Sequence, residues 1–144
     1  MNLTLPWPPS VNRMWRNVNG KTLLAADGRR YREEVLWKVK AHSGRFITPV
    51  RVIILAWYPD RRRRDIDNIL KAPLDALTHA GVWSDDSLIE CLSIEKAGYS
   101  QHEPRLDITI LEMDNELGLA KRGRDDSFRE AGGRGLGGGE ASAE

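Results

Sequence analysis

The sequence predicts an α+β fold, a single domain with a mixed β-sheet and two main helices packed against it, followed by a disordered C-terminal tail. Three observations predict it. Val50 to Tyr58 (VRVIILAWY) is a short, β-branched, apolar run bounded by Pro49 and Pro59, as a buried central strand requires. Apolar residues recur at helical spacing on both sides of it, at Tyr31, Val35 and Val39 and at Ile66, Ile69, Leu70, Leu74 and Leu77, the pattern of helices with one buried face. From about Asn115 onward no apolar period persists.

In chain order, Leu3 and Leu5 alternate with polar residues in a short strand that Pro6 ends. Pro6-Trp7-Pro8-Pro9-Ser10 is stiff and extended, because proline fixes φ and restrains the residue before it. Val18 to Lys21 reads as a turn and Thr22 to Ala25 as a second strand. Asp27 suits the N-cap of a helix over about 28–42, basic on its wet side through Arg29, Arg30, Arg32, Lys38 and Lys40. After the central strand, residues 66–80 have helical spacing, with Gly81 as C-cap. Pro73 either kinks this helix or marks its true first turn. Leu88 to Lys96 reads as a strand, Gly98 to Pro104 as a loop, and Leu106, Ile108 and Ile110 alternate in a last strand expected to pair antiparallel with its predecessor. The order is ββαβαββ, with helices on one side of the sheet.

A length of 144 residues allows one domain and a tail. The domain is placed at residues 1–114 and a Gly-rich, disordered tail at 115–144: eight of the 13 glycines lie there and Phe128 is its only aromatic residue. Such a segment buries too little surface to offset its conformational entropy. No stretch approaches the roughly 18 uninterrupted apolar residues of a membrane helix, and MNLTLPWPPS lacks the basic and apolar regions of a signal peptide. The single cysteine, Cys91, excludes an internal disulfide framework and a Cys-based zinc cage. The expected class is a soluble, cytoplasmic protein.

The formal net charge of +1 hides a division. Residues 13–71 carry 15 basic and 6 acidic side chains, whereas residues 72–114 carry 2 and 9. A basic face for a polyanion is one consequence of such polarity.

The chemistry is concentrated in Asp60-Arg61-Arg62-Arg63-Arg64-Asp65-Ile66-Asp67-Asn68-Ile69-Leu70-Lys71. If the chain is extended there, Asp65 and Asp67 lie on one side; if it is already helical they diverge by about 200°. Placement just after a strand favours the extended reading. Two neighbouring carboxylates repel unless a cation sits between them, and Mg²⁺ accepts carboxylates together with waters and phosphate oxygens. Lys71 would project toward the same site and stabilise charge on a phosphoryl transition state. A helix packing back on its sheet would bring Asp85-Asp86 to the carboxyl end of the central strand, completing a cage for one or two metals that activate water. The four arginines would grip backbone phosphates. A D-x-D pair alone is more often a solvated turn or helix cap, and an arginine run alone a solvated loop; their conjunction carries the nuclease reading. No G-x-S-x-G occurs, Cys91 falls inside a predicted strand as a buried, inert thiol, and His42, His79 and His102 have no ligand spacing, His79 being read as a helix-surface residue.

Three separated motifs resemble one family. Leu5 to Arg13 (LPWPPSVNR), Pro59 to Lys71 (PDRRRRDIDNILK), and Leu74-Asp75-Ala76-Leu77 followed by Gly81 to Asp86 (GVWSDD) are similar to the RusA family of crossover junction endodeoxyribonucleases, Holliday junction resolvases often carried by prophages. The resemblance spans about residues 3–114. It implies a Mg²⁺-dependent homodimer, with Mn²⁺ as substitute, that cuts two strands of a four-way DNA junction symmetrically in DNA recombination and repair. By motif, Asp65, Asp67 and Asp86 are the implied catalytic metal-binding acids, Asp85 their neighbour, and Lys71 the catalytic lysine. Arg61, Arg62, Arg63 and Arg64 are implied DNA contacts, with Arg13 and Arg16 of the opening segment as further candidates. Such a protein would act in a bacterial or phage-infected cytoplasm, at the nucleoid. The alternatives are a catalytically silent branched-DNA-binding protein and a general metal-dependent nuclease. Trp37 and Trp57 are candidates for the dimer interface, with core positions as the competing reading, and Trp7, Trp15 and Trp83 for stacking on unpaired bases.

Overall fold

A computed structural model of the chain describes residues 1–113. The expected tail, 115–144, and its boundary lie outside the described residues.

Strand β1 (Asn2–Pro6) opens the chain. The proline-rich segment after it is irregular, as expected, and ends in a single helical turn, α1 (Val11–Met14), that periodicity is too short to reveal. Next come β2 (Trp15–Val18) and β3 (Lys21–Leu24), an antiparallel hairpin. Its turn holds Asn19 at φ 51° and Gly20 at φ 75°, the doubly positive pair that a tight hairpin turn demands. Helix α2 (Ala26–Lys40) buries Tyr31, Val35 and Val39, as their spacing predicts. Its N-cap is Ala25 rather than Asp27. Asp27 instead lies in the first turn and pairs with Arg13 at 2.6 Å, where its charge also complements the helix dipole.

The long strand β4 (Val50–Tyr58) alternates strictly: Val50, Val52, Ile54, Ala56 and Tyr58 are buried. Helix α3 (Lys71–His79) follows, then β5 (Ile89–Tyr99) and β6 (Arg105–Glu112). The expected continuous helix over 66–80 is divided. Ile66–Ile69 forms a separate 3₁₀ turn and α3 starts only at Lys71. Pro73 is the reason: it has no N–H to donate to the Ile69 carbonyl, so the α-helical ladder cannot run back through that residue. Pro73 thus occupies the first turn of α3, where no intrahelical donor is needed. Gly81 ends the helix at φ 79°.

The mixed sheet has strand order β1-β6-β4-β5. β6 pairs antiparallel with β1 and with β4, and β4 pairs parallel with β5. The expected pairing of β6 with its predecessor β5 therefore does not occur. Leu106, Ile108 and Ile110 are fully buried, so β6 takes a position flanked by strands on both sides. β5, with Glu90, Glu95 and Lys96 exposed, takes the edge, where charged side chains are tolerated and unwanted pairing is discouraged. One sheet face is buried with α2 and α3. On the other, the Trp57 indole N–H donates to Asp107 Oδ2 at 2.9 Å and Arg105 stacks on the Trp57 ring at 4.9 Å.

Candidate nucleic-acid interface and active site

The turn after β4 gives the four arginines different environments. Asp60 Oδ1 accepts the backbone N–H of Arg62 at 2.9 Å, and Arg64 Nη2 donates to Asp60 Oδ2 at 2.9 Å. The second Arg64 nitrogen, Nη1, donates to the other carboxylate oxygen. The paired Arg64 guanidinium, then the Arg62 N–H, hold the Asp60 carboxyl well below the usual carboxylate range, and Asp60 raises the pKa of Arg64 in return. Arg61 lies over the Tyr99 ring at 5.1 Å. Arg61, Arg62 and Arg63 are exposed and Arg64 is half-buried. The run thus divides into an arginine that closes the turn and three that face solvent.

Asp65 and Asp67 straddle a change in backbone. Asp65 is extended (φ −74°, ψ 136°) and precedes the 3₁₀ turn that contains Asp67. Neither the fully extended nor the fully helical alternative holds. Both residues are exposed, and the Asp65 side chain makes no capping hydrogen bond. Lys71 stands exposed at the first position of α3, its ammonium 5.6 Å from the Trp15 ring.

Asp85 and Asp86 enter a short 3₁₀ turn, Asp86–Leu88, that leads into β5. The Ser87 side chain, then the Ser87 N–H that donates to Asp85 Oδ1 at 2.8 Å, lower the pKa of Asp85. Asp86 is exposed. The expected convergence of this loop on the carboxyl end of β4 is overturned by topology. Because β4 and β5 are parallel, with Val50 beside Ile89, Asp85 and Asp86 feed into the sheet at the end where β4 begins. Asp65 and Asp67 follow its other end, nine residues away along β4. Among the described residues, no group of three or more His, Cys, Asp or Glu is gathered to hold a metal ion. The four carboxylates stand as two chain-local pairs of hard oxygen donors.

A cavity of about 430 Å³ adjoins Lys71, lined by Val11, Asn12, Trp15, Arg16, Asn17 and Thr22. The β2–β3 hairpin supplies most of this wall, so the segment between two recognisable motifs adjoins Lys71. Arg16 faces this cavity. Arg13 is tied to Asp27 and lines a different one, with Trp7, Pro8, Pro9 and Tyr31. Arg32, which sequence reading assigned only to the wet side of a helix, stacks on the Trp15 ring at 5.8 Å. The signal for it was weak: one arginine among five basic residues on α2.

The tryptophan expectations divide. Trp83 is fully buried and donates its indole N–H to Thr78 Oγ1 at 2.8 Å, so it is not a base-stacking surface. Trp7 packs against Tyr58 at 4.8 Å between ring centroids, whereas Trp15 remains partly exposed at the cavity. Trp37 is 70% exposed, which removes its core reading. His79 is on the surface as expected, but Cys91 is only partly buried because its strand is the sheet edge. No described helix is long and apolar enough to cross a membrane.

The family model described as "Endodeoxyribonuclease RusA" matches residues 6–111. Curated relatives include the crossover junction endodeoxyribonuclease rusA of Enterobacteria phage 82, 43% identical over 117 residues, covering 80% of this chain and 97% of the relative. The proteins named crossover junction endodeoxyribonuclease RusA from Shigella sonnei (strain Ss046) and Escherichia coli (strain K12) are each 43% identical over 118 residues, with the same coverage. The match runs from the proline-rich opening through the arginine turn and both acidic pairs into β6: this chain belongs to the RusA endodeoxyribonuclease family.

Proposed function

We propose that the protein is a Mg²⁺-dependent, structure-selective endodeoxyribonuclease that resolves four-way DNA junctions by paired, symmetric phosphodiester hydrolysis in recombination and repair. The observation that carries this reading is the exposed Asp65/Asp67 pair joined directly to a turn that presents Arg61, Arg62 and Arg63 to solvent, within a family whose relatives are named crossover junction endodeoxyribonucleases.

The donor chemistry fits a hard divalent cation, since Mg²⁺ needs only one or two carboxylates when waters and phosphate oxygens supply the remaining positions. Asp65 and Asp67 are the primary holding residues, with Asp86 and its neighbour Asp85 as further acids; Mn²⁺ shares the oxygen preference. When bound, the metal supplies Lewis-acid activation of water and charge neutralisation at the phosphate. Lys71 stabilises the negative charge that develops on the phosphoryl oxygens. Arg61, Arg62 and Arg63, with Arg16 and Arg13, bind backbone phosphates, and Arg64 keeps the turn closed through Asp60. A four-way junction has approximate two-fold symmetry, so paired cuts call for a C2 homodimer with two identical sites. The endonuclease domain is assigned to residues 1–114, and the site of action to the bacterial or phage-infected cytoplasm, on nucleoid DNA.

That no group of three or more acids is gathered among the described residues is the one observation favouring the second reading, a catalytically silent branched-DNA-binding protein. Incubation with an end-labelled synthetic four-way junction decides between them. Paired symmetric nicks that require Mg²⁺ and disappear in Asp67→Asn support the resolvase. Tight metal-independent binding with no cleavage in any junction sequence supports the binder. Equal cutting of linear duplex would overturn junction selectivity.

A further inference from the structure

The edge strand of the sheet is long and incompletely covered. β5 runs for 11 residues, and among the described residues β4 is its only strand partner. Its outer side therefore keeps backbone N–H and C=O groups that can pair with another strand. Leu92 is 43% exposed, although Val52, its register neighbour on β4, is fully buried. The apolar layer over the sheet thus extends past its cover, with Ile94 half-buried beside it. Glu90 and Lys96 stand exposed on either side of these two residues. Among the described residues neither forms an ion pair.

This string is self-complementary in one antiparallel register. When Ser93 faces Ser93 of the partner subunit, Leu92 faces the partner's Ile94 and Glu90 faces the partner's Lys96. A two-fold axis repeats both pairs. Slipping by one residue in one direction sets Glu90 against the partner's Glu95; slipping in the other sets Leu92 against the partner's Glu95. The charges that discourage indiscriminate pairing therefore select one partner and one register. We infer that two copies of this chain join edge to edge, β5 against β5 in antiparallel register centred on Ser93, merging two four-stranded sheets into one. This deepens the proposed function and rests on it for the presence of a second copy, since that reading calls for a C2 homodimer without saying which surfaces meet. The axis runs perpendicular to the sheet, so the helices of both copies share one face and the two arginine turns lie at opposite ends of it.

The test uses the full chain with Cys91→Ser, which removes its one cysteine. Adding Ser93→Cys should give a disulfide-linked dimer on mild oxidation, because facing Cα atoms in an antiparallel pair stand about 4.5–5.5 Å apart, within the span of a disulfide. Ser43→Cys, exposed after α2, should not cross-link. In sedimentation, Leu92→Lys should raise the dimer dissociation constant about tenfold or more, because each substitution counts twice across the axis. Glu90→Lys should also weaken the dimer, and adding Lys96→Glu should restore it, a recovery that a folding defect would not show. A wild-type dimer that Leu92→Lys leaves unmoved, or equal cross-linking from Ser93→Cys and Ser43→Cys, would overturn the β5 interface while leaving junction cleavage, and thus the nuclease reading, intact. A wild type that cuts no junction would overturn the nuclease reading, yet the cross-link would still report whether the interface exists.

Discussion

The protein carries two basic regions that differ in what surrounds them. The turn after β4 contains four consecutive arginines, but Asp60 sits among them and ties Arg64 and the Arg62 backbone into the fold. The cleft beside the β2–β3 hairpin is lined by two cations drawn from different elements, Arg16 and Lys71, and a third, Arg32, lies against the Trp15 ring; among the described residues no carboxylate pairs with any of them. A run of like charge is visible in sequence, yet part of it holds the turn together. Charge assembled by topology is invisible in sequence and stays available to a ligand.

Five changes break or sharpen that contrast. The largest effect is expected for Lys71→Ala, which should reduce junction cleavage about 10²-fold or more while changing affinity little; single-turnover kinetics beside anisotropy separate the two. If affinity falls in step with rate, Lys71 belongs with the gripping residues instead. Next comes Gly28→Ala. A Cβ on Gly28 would meet the Met14 carbonyl oxygen and the Leu24 side chain, each at 2.7 Å, so α2 must move away from the hairpin. Overpacking of this kind costs about 1–3 kcal/mol, which thermal unfolding would register as a drop of several degrees; the cleft residues on α2 and β2 should lose function with it.

A smaller effect is expected at the turn. Arg63→Gln should lower the salt slope of junction binding by about 0.9 without altering the melting temperature. Arg64→Gln should instead destabilise, because it removes the partner of Asp60. The last comparison is one of pH. The Asp60 carboxyl has a folded pKa below its unfolded value, so its contribution to stability is complete above the ordinary aspartate value of about 4. It is lost as pH falls toward the folded pKa. The difference in melting temperature between wild type and Asp60→Asn should therefore be constant near neutrality and shrink only in strong acid. A difference that shrinks between pH 8 and 5 would assign the titration to another group.

Much of the fold follows from local pattern. The alternation and β-branching of Val50 to Tyr58 produce β4 to the residue, and Tyr31, Val35 and Val39 define the buried face of α2. Local pattern fails where the decision is made by partners. β2 is Trp-Arg-Asn-Val, largely exposed, with no apolar alternation to mark it; it exists because β3 pairs with it across the Asn19-Gly20 turn. The place of β6 between β1 and β4 depends on burial demanded across the whole sheet. For the site, both acid pairs and the arginine turn are legible because they are contiguous. Their relation in space is not, since a parallel β4–β5 pair sends Asp85 and Asp86 to the opposite end of the sheet from the one that simple proximity in sequence suggests. Arg32 and Trp15 become partners only through the packing of α2 against α1 and the hairpin.

Among the described residues the hairpin that walls the cleft pairs with no strand outside itself: β2 and β3 form their own two-stranded sheet. Such a ribbon has marginal stability in water unless something pins it. Here the pins include the Ala25 N–H to the Met14 carbonyl at 2.9 Å, Arg29 to the Leu24 carbonyl at 2.8 Å, the close seat of Gly28, and the packing of Trp15 and Leu24 against the core. In terms of time, this wall should run on a faster clock than the sheet beside it. Its amides should exchange with deuterated solvent long before those of β4 and β6, through local opening that leaves the core folded. DNA lodged in the cleft would slow that exchange selectively, making the hairpin a built-in reporter of occupancy.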